Sequence, residues 1–410
     1  MFRIGEFRAL WAAELVSIAG DQLARVAFSV LVYGRTGSAA WSAVVYALTF
    51  LPALLGGVLL GWVADRFRRR EVMVLADLAR ALLVLPLALT GLPLWLLCPL
   101  LVLVVVLGSP HSAAQGALLP DVLGSGERLE RGFAVRQITN QTAQIGGFAI
   151  GGLLLVVISP GVAILANAGT FLLSGLLVRF GVRRRPAPVA AADTDRPVGA
   201  ARSWFDDIAE GARTVFAHPR LRTLALAVWL VGCFVAPEAL AAPLADAREA
   251  GSAAVGLLMA ADPAGSVLGA VIVSRWIPEG LRERLVIPFA ALAGVPLIVS
   301  MLVPSIPATI VLWGLTGAFC TAALVPAQAA FLRNTPADLR GRATGLAASG
   351  LIAAQGLAIL VCGLVAQRWS APVAVGACGA VGLVLALGLL CTRGARPAAT
   401  SEPATAAQQG

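Results

Sequence analysis

The stretch from Gly61 to Arg80, G-W-V-A-D-R-F-R-R-R-E-V-M-V-L-A-D-L-A-R, decides how the rest of the chain is interpreted. Long apolar runs lie on both sides of it, so its arginine cluster is confined to a short polar turn. A charged side chain inside a membrane span costs roughly 2.5–3.5 kcal/mol on insertion scales, which places such a turn at the membrane surface. The stretch therefore predicts a tight connection between two membrane-spanning helices.

The composition of the chain excludes an ordinary water-soluble domain. Hydrophobic residues make up 59% and charged residues 13% of the 410 residues, and the mean hydropathy is +0.86. Soluble domains carry about 25% charged residues. We therefore expect a polytopic membrane protein in contact with the lipid bilayer. The six cysteines stand singly in apolar stretches, which predicts neither a metal site nor a disulfide framework.

The apolar runs predict an all-α protein with twelve spanning helices in two groups of six. A bilayer core about 30 Å thick takes about 20 helical residues to cross. We expect a first six-helix bundle over 1–180, a cytoplasmic linker with a short amphipathic helix over 181–220, a second bundle over 221–392 and a disordered tail over 393–410. The predicted spans lie near residues 9–33, 38–63, 71–90, 95–117, 133–158, 160–180, 221–245, 252–274, 285–303, 307–331, 342–367 and 371–391.

The distribution of arginine predicts the orientation of the chain. The sequence contains no lysine, so all 31 basic residues are arginines. The loops after odd-numbered helices contain only Arg35, Arg248 and Arg368, whereas the other loops and the central linker contain most of the rest. The positive-inside rule then places both termini and the central linker in the cytoplasm, and we expect the protein in the cytoplasmic membrane of a prokaryote. The net charge of +9 reflects this topology and does not indicate a nucleic-acid partner.

The polar turn follows the pattern G-x-x-x-D-R-x-x-R-R through Gly61, Asp65, Arg66, Arg69 and Arg70. This pattern resembles the loop signature between helices 2 and 3 of the major facilitator superfamily, a class of secondary transporters, although an arginine at position 68 replaces the usual glycine. The resemblance implies two pseudo-symmetric six-helix bundles that rock around a central cavity.

A second resemblance lies in the first helix. The stretch from Gly20 to Ala39, G-D-Q-L-A-R-V-A-F-S-V-L-V-Y-G-R-T-G-S-A, is similar to the first helix of the macrolide-efflux and enterobactin-exporter branch of the superfamily. This branch implies export of an amphipathic small molecule, such as a drug, an antibiotic or a siderophore.

The family resemblance also implies a cytoplasmic gate. Asp65 would contact the end of helix 11, while Arg66 and Arg69 would bond across neighbouring helix ends and Gly61 and Arg70 would complete the turn. The carboxylate is attracted by the partial positive charge of a helix N-terminus. Asp77 and Arg80, one turn apart, form the predicted inner pair of this gate. The alternative is that the arginines only fix the topology, and the two roles are compatible.

Charged residues within the first predicted span are candidates for the transport site. Glu14, Asp21 and Arg25 are separated by seven and four residues, which places them on one stripe of a helix. Asp21 and Arg25 can pair one turn apart. We expect the stripe to face the central cavity. A purely structural ion pair is the alternative.

Two acids lie in predicted spans of the second half. Glu238 and Asp262 each adjoin a proline, where a broken hydrogen-bond ladder opens room for polar groups. A buried carboxyl favours its neutral form and can exchange a proton as its access changes. Asp21, Glu238, Asp262 and Glu14 are therefore the candidate proton carriers. Each could instead be a structural acid or a contact to a cationic substrate.

Predicted helix 5 carries a polar face at a spacing of three and four residues. An amide in hydrocarbon needs a partner, so such a face favours the lining of a cavity. His111 lies near the cytoplasmic end of predicted helix 4 and is interpreted as a surface residue, with a titratable group as the alternative. The candidate cavity residues are Arg25, Arg136, Gln137, Asn140, Gln141, Gln144 and, in the second half, Gln355.

Helix 5 continues into G-F-A-I-G-G, which contains Gly147, Gly151 and Gly152. This stretch is similar to the antiporter motif G-P-x-x-G-G of the superfamily, with Phe148 in place of the proline. The glycines also allow neighbouring helices to approach closely, so simple helix packing explains them equally well.

The sequence predicts a secondary active transporter that exports an amphipathic small molecule by alternating access, as a monomer driven by a proton gradient and without a cofactor. An uptake symporter would use the same acids and differs only in the direction of flux. A receptor or scaffold would not need ionisable residues in several spans. An enzyme or ATP-driven pump is disfavoured, because the phosphate-binding loop G-x-x-x-x-G-K-[ST] requires a lysine.

Overall fold

The computed structural model describes residues 1–187, 212–213, 215–336 and 339–394, and these form helices joined by short loops. We number the main helices in chain order; α2 and α7 each consist of several segments. They are α1 (Gly5–Thr36), α2 (Ala39–Leu48 and Pro52–Leu60), α3 (Arg69–Leu87), α4 (Leu94–Leu123), α5 (Glu127–Leu154), α6 (Pro160–Gly181), α7 (Pro219–Cys233, Ala236–Leu240 and Ala241–Asp246), α8 (Ser252–Trp276), α9 (Val286–Leu302), α10 (Ile306–Asn334), α11 (Arg340–Arg368) and α12 (Ala371–Gly394).

Within the described residues, nine of these helices are long and apolar enough to cross a membrane. α9 is a shorter apolar helix, whereas α3 and α5 contain several charged residues each. With these three helices the described residues contain the twelve predicted crossings. Side chains such as Leu82, Val157 and Phe180 are exposed on the outside of the bundle, where a bilayer would cover them.

Two helices are interrupted where prolines occur. α2 breaks after Leu48, and its second segment begins at Pro52. α7 ends its first segment at Cys233 and passes through the 3₁₀ turn Ala236–Leu240 before it continues. Proline lacks a backbone N–H, so it removes a rung of the helical hydrogen-bond ladder. The spans 38–63 and 221–245 were each predicted as one unbroken helix, and this is wrong. The segments of α2 together still make one crossing, as do those of α7.

The observed helices run past most of the predicted ends. α1 covers 5–36 instead of 9–33, and α4 covers 94–123 instead of 95–117. The extensions end in polar residues. A span predicted from hydropathy does not include them, because it ends where the apolar run ends. The predicted amphipathic helix that starts at Ser203 falls almost entirely outside the described residues, and the predicted tail beyond residue 394 does so completely.

We call the two ends of the bundle the arginine-rich side, which holds the turn around Arg69, and the arginine-poor side, which holds the turn around Gly37. The first six helices pack together and the last six pack together. The two groups meet mainly where α2 packs on α11 and where α5 packs on α8. At the first contact Ala43 lies beside Gly363, and at the second Gly152 lies beside Gly256. These contacts lie in the arginine-poor part of the bundle.

Candidate transport site

A cavity of about 500 Å³, with charged and apolar side chains in its wall, lies inside the first six helices, and each of α1 to α6 supplies part of the wall. Its described lining contains no residue of the last six helices. The charged residues of the wall are Glu14, Asp21, Arg25, Arg80 and Arg136. The apolar part of the wall includes Ile18, Phe28, Phe50, Val84, Leu87, Leu101, Val104 and Val105.

The central ion pair of the cavity joins α1 to α3. Arg80 donates hydrogen bonds to both carboxylate oxygens of Asp21, at 3.0 and 3.3 Å. The amide nitrogen of Asn167 in α6 lies 3.5 Å from the same carboxylate. The guanidinium of Arg80 also lies over the ring of Phe171, 3.9 Å from its centroid. The predicted pair between Asp21 and Arg25 is therefore replaced by a pair between two helices.

Asp77 holds a second set of contacts behind Arg80. Its side chain is fully buried, and the nearest guanidinium nitrogen of Arg80 lies 3.8 Å from it. Ser174 of α6 donates a hydrogen bond to the other carboxylate oxygen at 2.7 Å. Nε2 of His111 in α4 lies 3.4 Å from that same oxygen. The predicted inner gate pair of Asp77 and Arg80 thus lies within the bundle, about 12 to 17 Å along α3 from its start.

His111 was interpreted as a surface residue, and this prediction is wrong. The side chain is only 5% exposed and lines the cavity. The error has a simple cause: α4 extends to Leu123, so His111 lies inside the helix and not near its end. Ser109, Ser112 and Gln115 interrupt the apolar run around it, and this polar spacing was the available signal.

A further ion pair lies nearer the arginine-rich side. Arg136 of α5 donates a hydrogen bond to Glu14 of α1 at 2.6 Å, and a second one to Gln115 of α4 at 3.3 Å. The side chain of Glu14 is 9% exposed. A paired and hydrogen-bonded charge is the form in which an ionised group is tolerated inside a protein. This pair ties three helices together at the wall of the cavity.

Arg25 lies between the cavity and the second half of the protein. Its only hydrogen bond among the described residues is donated to the backbone carbonyl of Thr49, at 3.4 Å. Glu238 of α7 and Asp262 of α8, the two candidate acids of the second half, form no ion pair among the described residues. Glu238 itself is buried and accepts a hydrogen bond from the hydroxyl of Tyr46 in α2. Neither Glu238 nor Asp262 lines the cavity of the first half.

The hydrogen bonds that join the two halves, within the described residues, all lie toward the arginine-poor side. Besides Tyr46 and Glu238, Tyr33 donates to Asp246 at 3.3 Å. Ser38 donates to the side chain of Gln367 at 2.9 Å. The halves are therefore closed against each other on this side, and their opposite ends have no such bond in the described part of the chain.

The glycines of α5 lie at close contacts between helices. A Cβ built on Gly147 would lie 2.8 Å from the carbonyl oxygen of Ala19 in α1. A Cβ on Gly151 would lie 3.2 Å from Leu23 in the same helix. A Cβ on Gly152 would lie 2.6 Å from Gly256 of α8. The first two contacts are within one half, and the third is between the halves.

The predicted gate residues make few of the predicted contacts. Asp65 and Arg66 are exposed and, among the described residues, have no ion-pair or hydrogen-bond partner through their side chains. Gly61 ends the second segment of α2 with ordinary helical angles. Two arginines do connect helix ends: Arg69 bonds to Asp121 at 2.7 Å and Arg70 to the carbonyl of Val182 at 3.0 Å. Among the described residues, Asp65 forms no hydrogen bond or ion pair with α11 in this arrangement.

Only part of the predicted polar face of α5 reaches the cavity. Asn140 and Arg136 line it, and Gln144 donates a hydrogen bond to Asn140 at 2.9 Å. Gln137 is exposed, and neither it nor Gln141 is in the wall. Gln355 packs against Gly232 in the second half instead. Sequence reasoning missed the neutral and aromatic members of the site, which are Tyr46, Asn167, Phe171 and Ser174.

The described residues contain no group of three or more His, Cys, Asp or Glu side chains that could hold a metal ion. The site therefore consists of ion pairs, amides and apolar walls. Such groups can bind and release a solute or a proton, and their arrangement is that of a binding cavity between spanning helices.

Comparison with known proteins identifies the family. The model of the Major Facilitator Superfamily matches residues 10–246 and 239–409. The multidrug efflux pump Tap of Mycobacterium tuberculosis is 27% identical over 398 residues, with 93% of this chain and 90% of that protein covered. The enterobactin exporter EntS of Salmonella typhi is 28% identical over 407 residues, with 94% and 91% covered.

Solved structures agree on the fold. The peptide transporter POT in complex with sulfate superposes with a TM-score of 0.70 at 15% sequence identity, covering 95% of this chain and 94% of that one. An inward-facing, occupied bacterial homolog of the human lysosomal transporter Spinster gives a TM-score of 0.70 at 13% identity, with 94% and 96% covered. The predicted fold is confirmed, as is the prediction of a transporter and not an enzyme. The chain belongs to the Major Facilitator Superfamily.

Proposed function

We propose that the protein exports an amphipathic small molecule by alternating access, in exchange for protons. The observation that carries the proposal is the cavity of about 500 Å³, in which paired charges and an apolar wall face the same space. Cavities for small molecules measure about 300–1,000 Å³ and combine apolar walls with a few placed polar groups. The cavity therefore suits a solute with one apolar face and one polar or charged group.

The relatives support export as the direction of transport. Tap is named as a multidrug efflux pump and EntS as an enterobactin exporter. Both match this chain over nine-tenths or more of its length. The compounds in their names differ from each other, as expected for transporters that bind molecules by their amphipathic character.

We propose that the arginine-rich side faces the cytoplasm of the cell membrane, because the positive-inside rule favours that orientation. Both termini and the linker over 181–220 then lie in the cytoplasm. The bundles over 1–180 and 221–392 rock against each other as a monomer. Because the halves bond to each other only toward the opposite side among the described residues, this arrangement has its cavity closed to the outside.

Four acids are placed to carry protons in this scheme. Asp21 and Glu14 are in the wall of the cavity, where each pairs with an arginine. Glu238 accepts a hydrogen bond from Tyr46 across the contact between the halves, and Asp262 belongs to α8, which packs on α5. A carboxylate that gains a proton loses its charge, so it no longer attracts an arginine or a cationic solute. The proton and a cationic solute therefore compete for the same carboxylate.

Proteoliposomes with an imposed pH gradient test this proposal. Ethidium, tetraphenylphosphonium and a neutral macrolide are added, and proton movement and solute counterflow are both recorded. Asp21→Asn and Asp262→Asn are compared with the intact protein and with Glu127→Gln, whose carboxylate forms an exposed pair with Arg131 outside the cavity. We expect solute-driven proton release by the intact protein and by the control, and its loss in at least one cavity or interface variant.

Two results would contradict the proposal. Counterflow without any proton movement would replace antiport by uniport or by coupling to another ion. Proton and solute moving in the same direction would make the protein an uptake symporter, which is the alternative that the sequence left open.

A further inference from the structure

His111 and Asp77 face each other in the interior of the first half. The imidazole Nε2 and the carboxylate Oδ2 are 3.4 Å apart, and both side chains are almost completely buried. Ser174 donates a hydrogen bond to the same carboxylate oxygen. The three side chains come from α3, α4 and α6, so they are positioned by three different helices of the bundle.

The hydrogen bonding of this pair is incomplete. Nε2 of His111 and Oδ1 of Asp77 are both buried and have no hydrogen-bond partner among the described residues. A buried polar atom without a partner costs free energy, because it has lost its bonds to water. A hydrogen on Nε2 would face Oδ2 of Asp77. The neutral ring can supply this hydrogen as one of its tautomers, and the imidazolium adds the attraction of opposite charges.

The net charge around the pair also favours the binding of one proton. Asp77 and Asp21 share one cation, Arg80, at 3.8 and 3.0 Å. With a neutral imidazole, Asp77, Asp21 and Arg80 together carry one net negative charge, and Asp21, whose side chain is 33% exposed, faces the cavity. An imidazolium at position 111 would balance it.

The other charged groups of the cavity wall form no ion pair with Asp77. Glu14 and Arg136, from α1 and α5, neutralise each other at 2.6 Å. Arg25 of α1 donates to the backbone carbonyl of Thr49 and forms no ion pair among the described residues. α2, α4 and α6 contribute no other charged side chain to the described wall. Arg80, which is shared with Asp21, and the imidazole of His111 are therefore the groups within ion-pair distance that can balance the charge of Asp77.

We propose that His111 and Asp77 form a proton-binding site of the transport cycle. One proton from water binds to the imidazole, the charge of the cluster rises by one, and no other bond changes. Protonation weakens the hold of Asp77 on Arg80, because the imidazolium then neutralises the carboxylate. Arg80 also binds Asp21 in the cavity wall, so the proton changes the charge that a solute meets. This inference rests on the proposed proton antiport and gives it a specific site.

The first test observes the proton directly. The chain has two histidines, His111 and His218, so histidine-selective ¹⁵N labelling of the His218→Gln variant gives the signal of His111 alone. The ¹⁵N signals of the ring are recorded from about pH 5 to pH 8, the range in which an ordinary imidazole exchanges its proton. A change in the protonation state of His111 is the expected result, and Asp77→Asn should lower its midpoint, since it removes the carboxylate that stabilises the imidazolium. Ser174→Ala should raise it, because the carboxylate loses a donor.

The second test links the site to transport. Ethidium-driven proton movement is measured for the intact protein and for His111→Gln, with ethidium counterflow as the measure of a folded transporter. We expect about a tenfold or greater fall in protons moved per ethidium, with counterflow retained, because glutamine cannot take up a proton in this pH range.

The outcomes separate this inference from the proposed function. The proposed site would be overturned by an imidazole that stays in one protonation state across the range. It would also be overturned by a midpoint that is the same in Asp77→Asn and Ser174→Ala as in the intact protein. The same holds for unchanged proton movement in His111→Gln. If that variant fails to fold, the shift of the midpoint in Ser174→Ala decides. An intact protein that moves ethidium without protons would refute antiport itself, whatever the titration of His111 shows.

Discussion

The hydroxyl of Tyr46 in α2 donates a hydrogen bond to the carboxylate of Glu238 in α7, and both side chains are buried between the two halves of the protein. Glu238 lies in the 3₁₀ turn that interrupts α7, so the bond joins an irregular segment of one half to a regular helix of the other. This contact must break before the halves can separate on the arginine-poor side.

Tyr46→Phe should favour the state that is open on the arginine-poor side. The buried carboxylate of Glu238 loses its donor, which costs about 1–3 kcal/mol in the closed state only. The open population should rise roughly tenfold for each 1.4 kcal/mol. Spin labels on Thr36→Cys and Glu249→Cys, both exposed, report the distance between the halves once the native cysteines are replaced.

Tyr33→Phe is the matched control for that measurement. It removes a bond of 3.3 Å to Asp246 that is exposed, so water can replace the lost partner. If the distance distribution changes as much in this control as in Tyr46→Phe, the buried bond stabilises the closed state no more than the exposed bond does.

Gly152→Ala should disturb the contact between α5 and α8. The added Cβ would lie 2.6 Å from Gly256, and backbone cannot move away as a flexible side chain can. Overpacking of this kind costs about 1–3 kcal/mol. A Cβ on Gly146 in the same helix would meet nothing within 4 Å. Gly146→Ala should leave the melting temperature of the purified protein unchanged or raised, and equal losses in both variants would contradict the prediction.

Arg136→Gln should destabilise the protein more than Arg131→Gln. Both arginines belong to α5 and each pairs with a glutamate, but the pair with Glu14 is largely buried while that with Glu127 is exposed. Loss of one partner from the buried pair should cost roughly 1–3 kcal/mol. Exposed pairs contribute about 0–1 kcal/mol. Chemical denaturation in detergent compares the two variants, and similar midpoints would show that burial does not matter here.

Asp65→Asn should impair transport without loss of stability in the present arrangement. The Asp65 side chain has no partner among the described residues, so its loss removes no contact that holds this state together. If it bonds to α11 only when the arginine-rich side closes, ethidium counterflow should fall while the melting temperature stays the same. Arg69→Ala is the contrasting variant, because it breaks the bonds to Asp121 and Ala117 and should lower that temperature.

The fold followed from the sequence because spanning helices are selected by length and hydropathy, which are local properties. The partners of charged residues are not local. Asp21 and Arg25 stand one turn apart, and the helical period alone favours their pairing. Arg80 binds Asp21 instead because α1 and α3 are rotated toward each other, and no pattern within a single helix gives that rotation.

Neutral site residues were missed for a related reason. A single serine or tyrosine is common in an apolar run, so it does not mark a functional site in the sequence. Ser174 and Tyr46 can be recognised as site residues only when their acidic partners are known. His111 was misplaced because the apolar run ends before the helix does. The glycines of α5, in contrast, were predicted as close contacts between helices from the spacing of small residues in G-F-A-I-G-G, and the structure places them against α1 and α8.

The lining of the cavity by residues from Glu14 to Asn167 has an evolutionary consequence. All the described side chains that line this cavity are encoded in one continuous stretch of the gene, separate from the stretch that encodes Glu238 and the second half. A single crossover within the linker would therefore exchange the whole wall of the cavity at once.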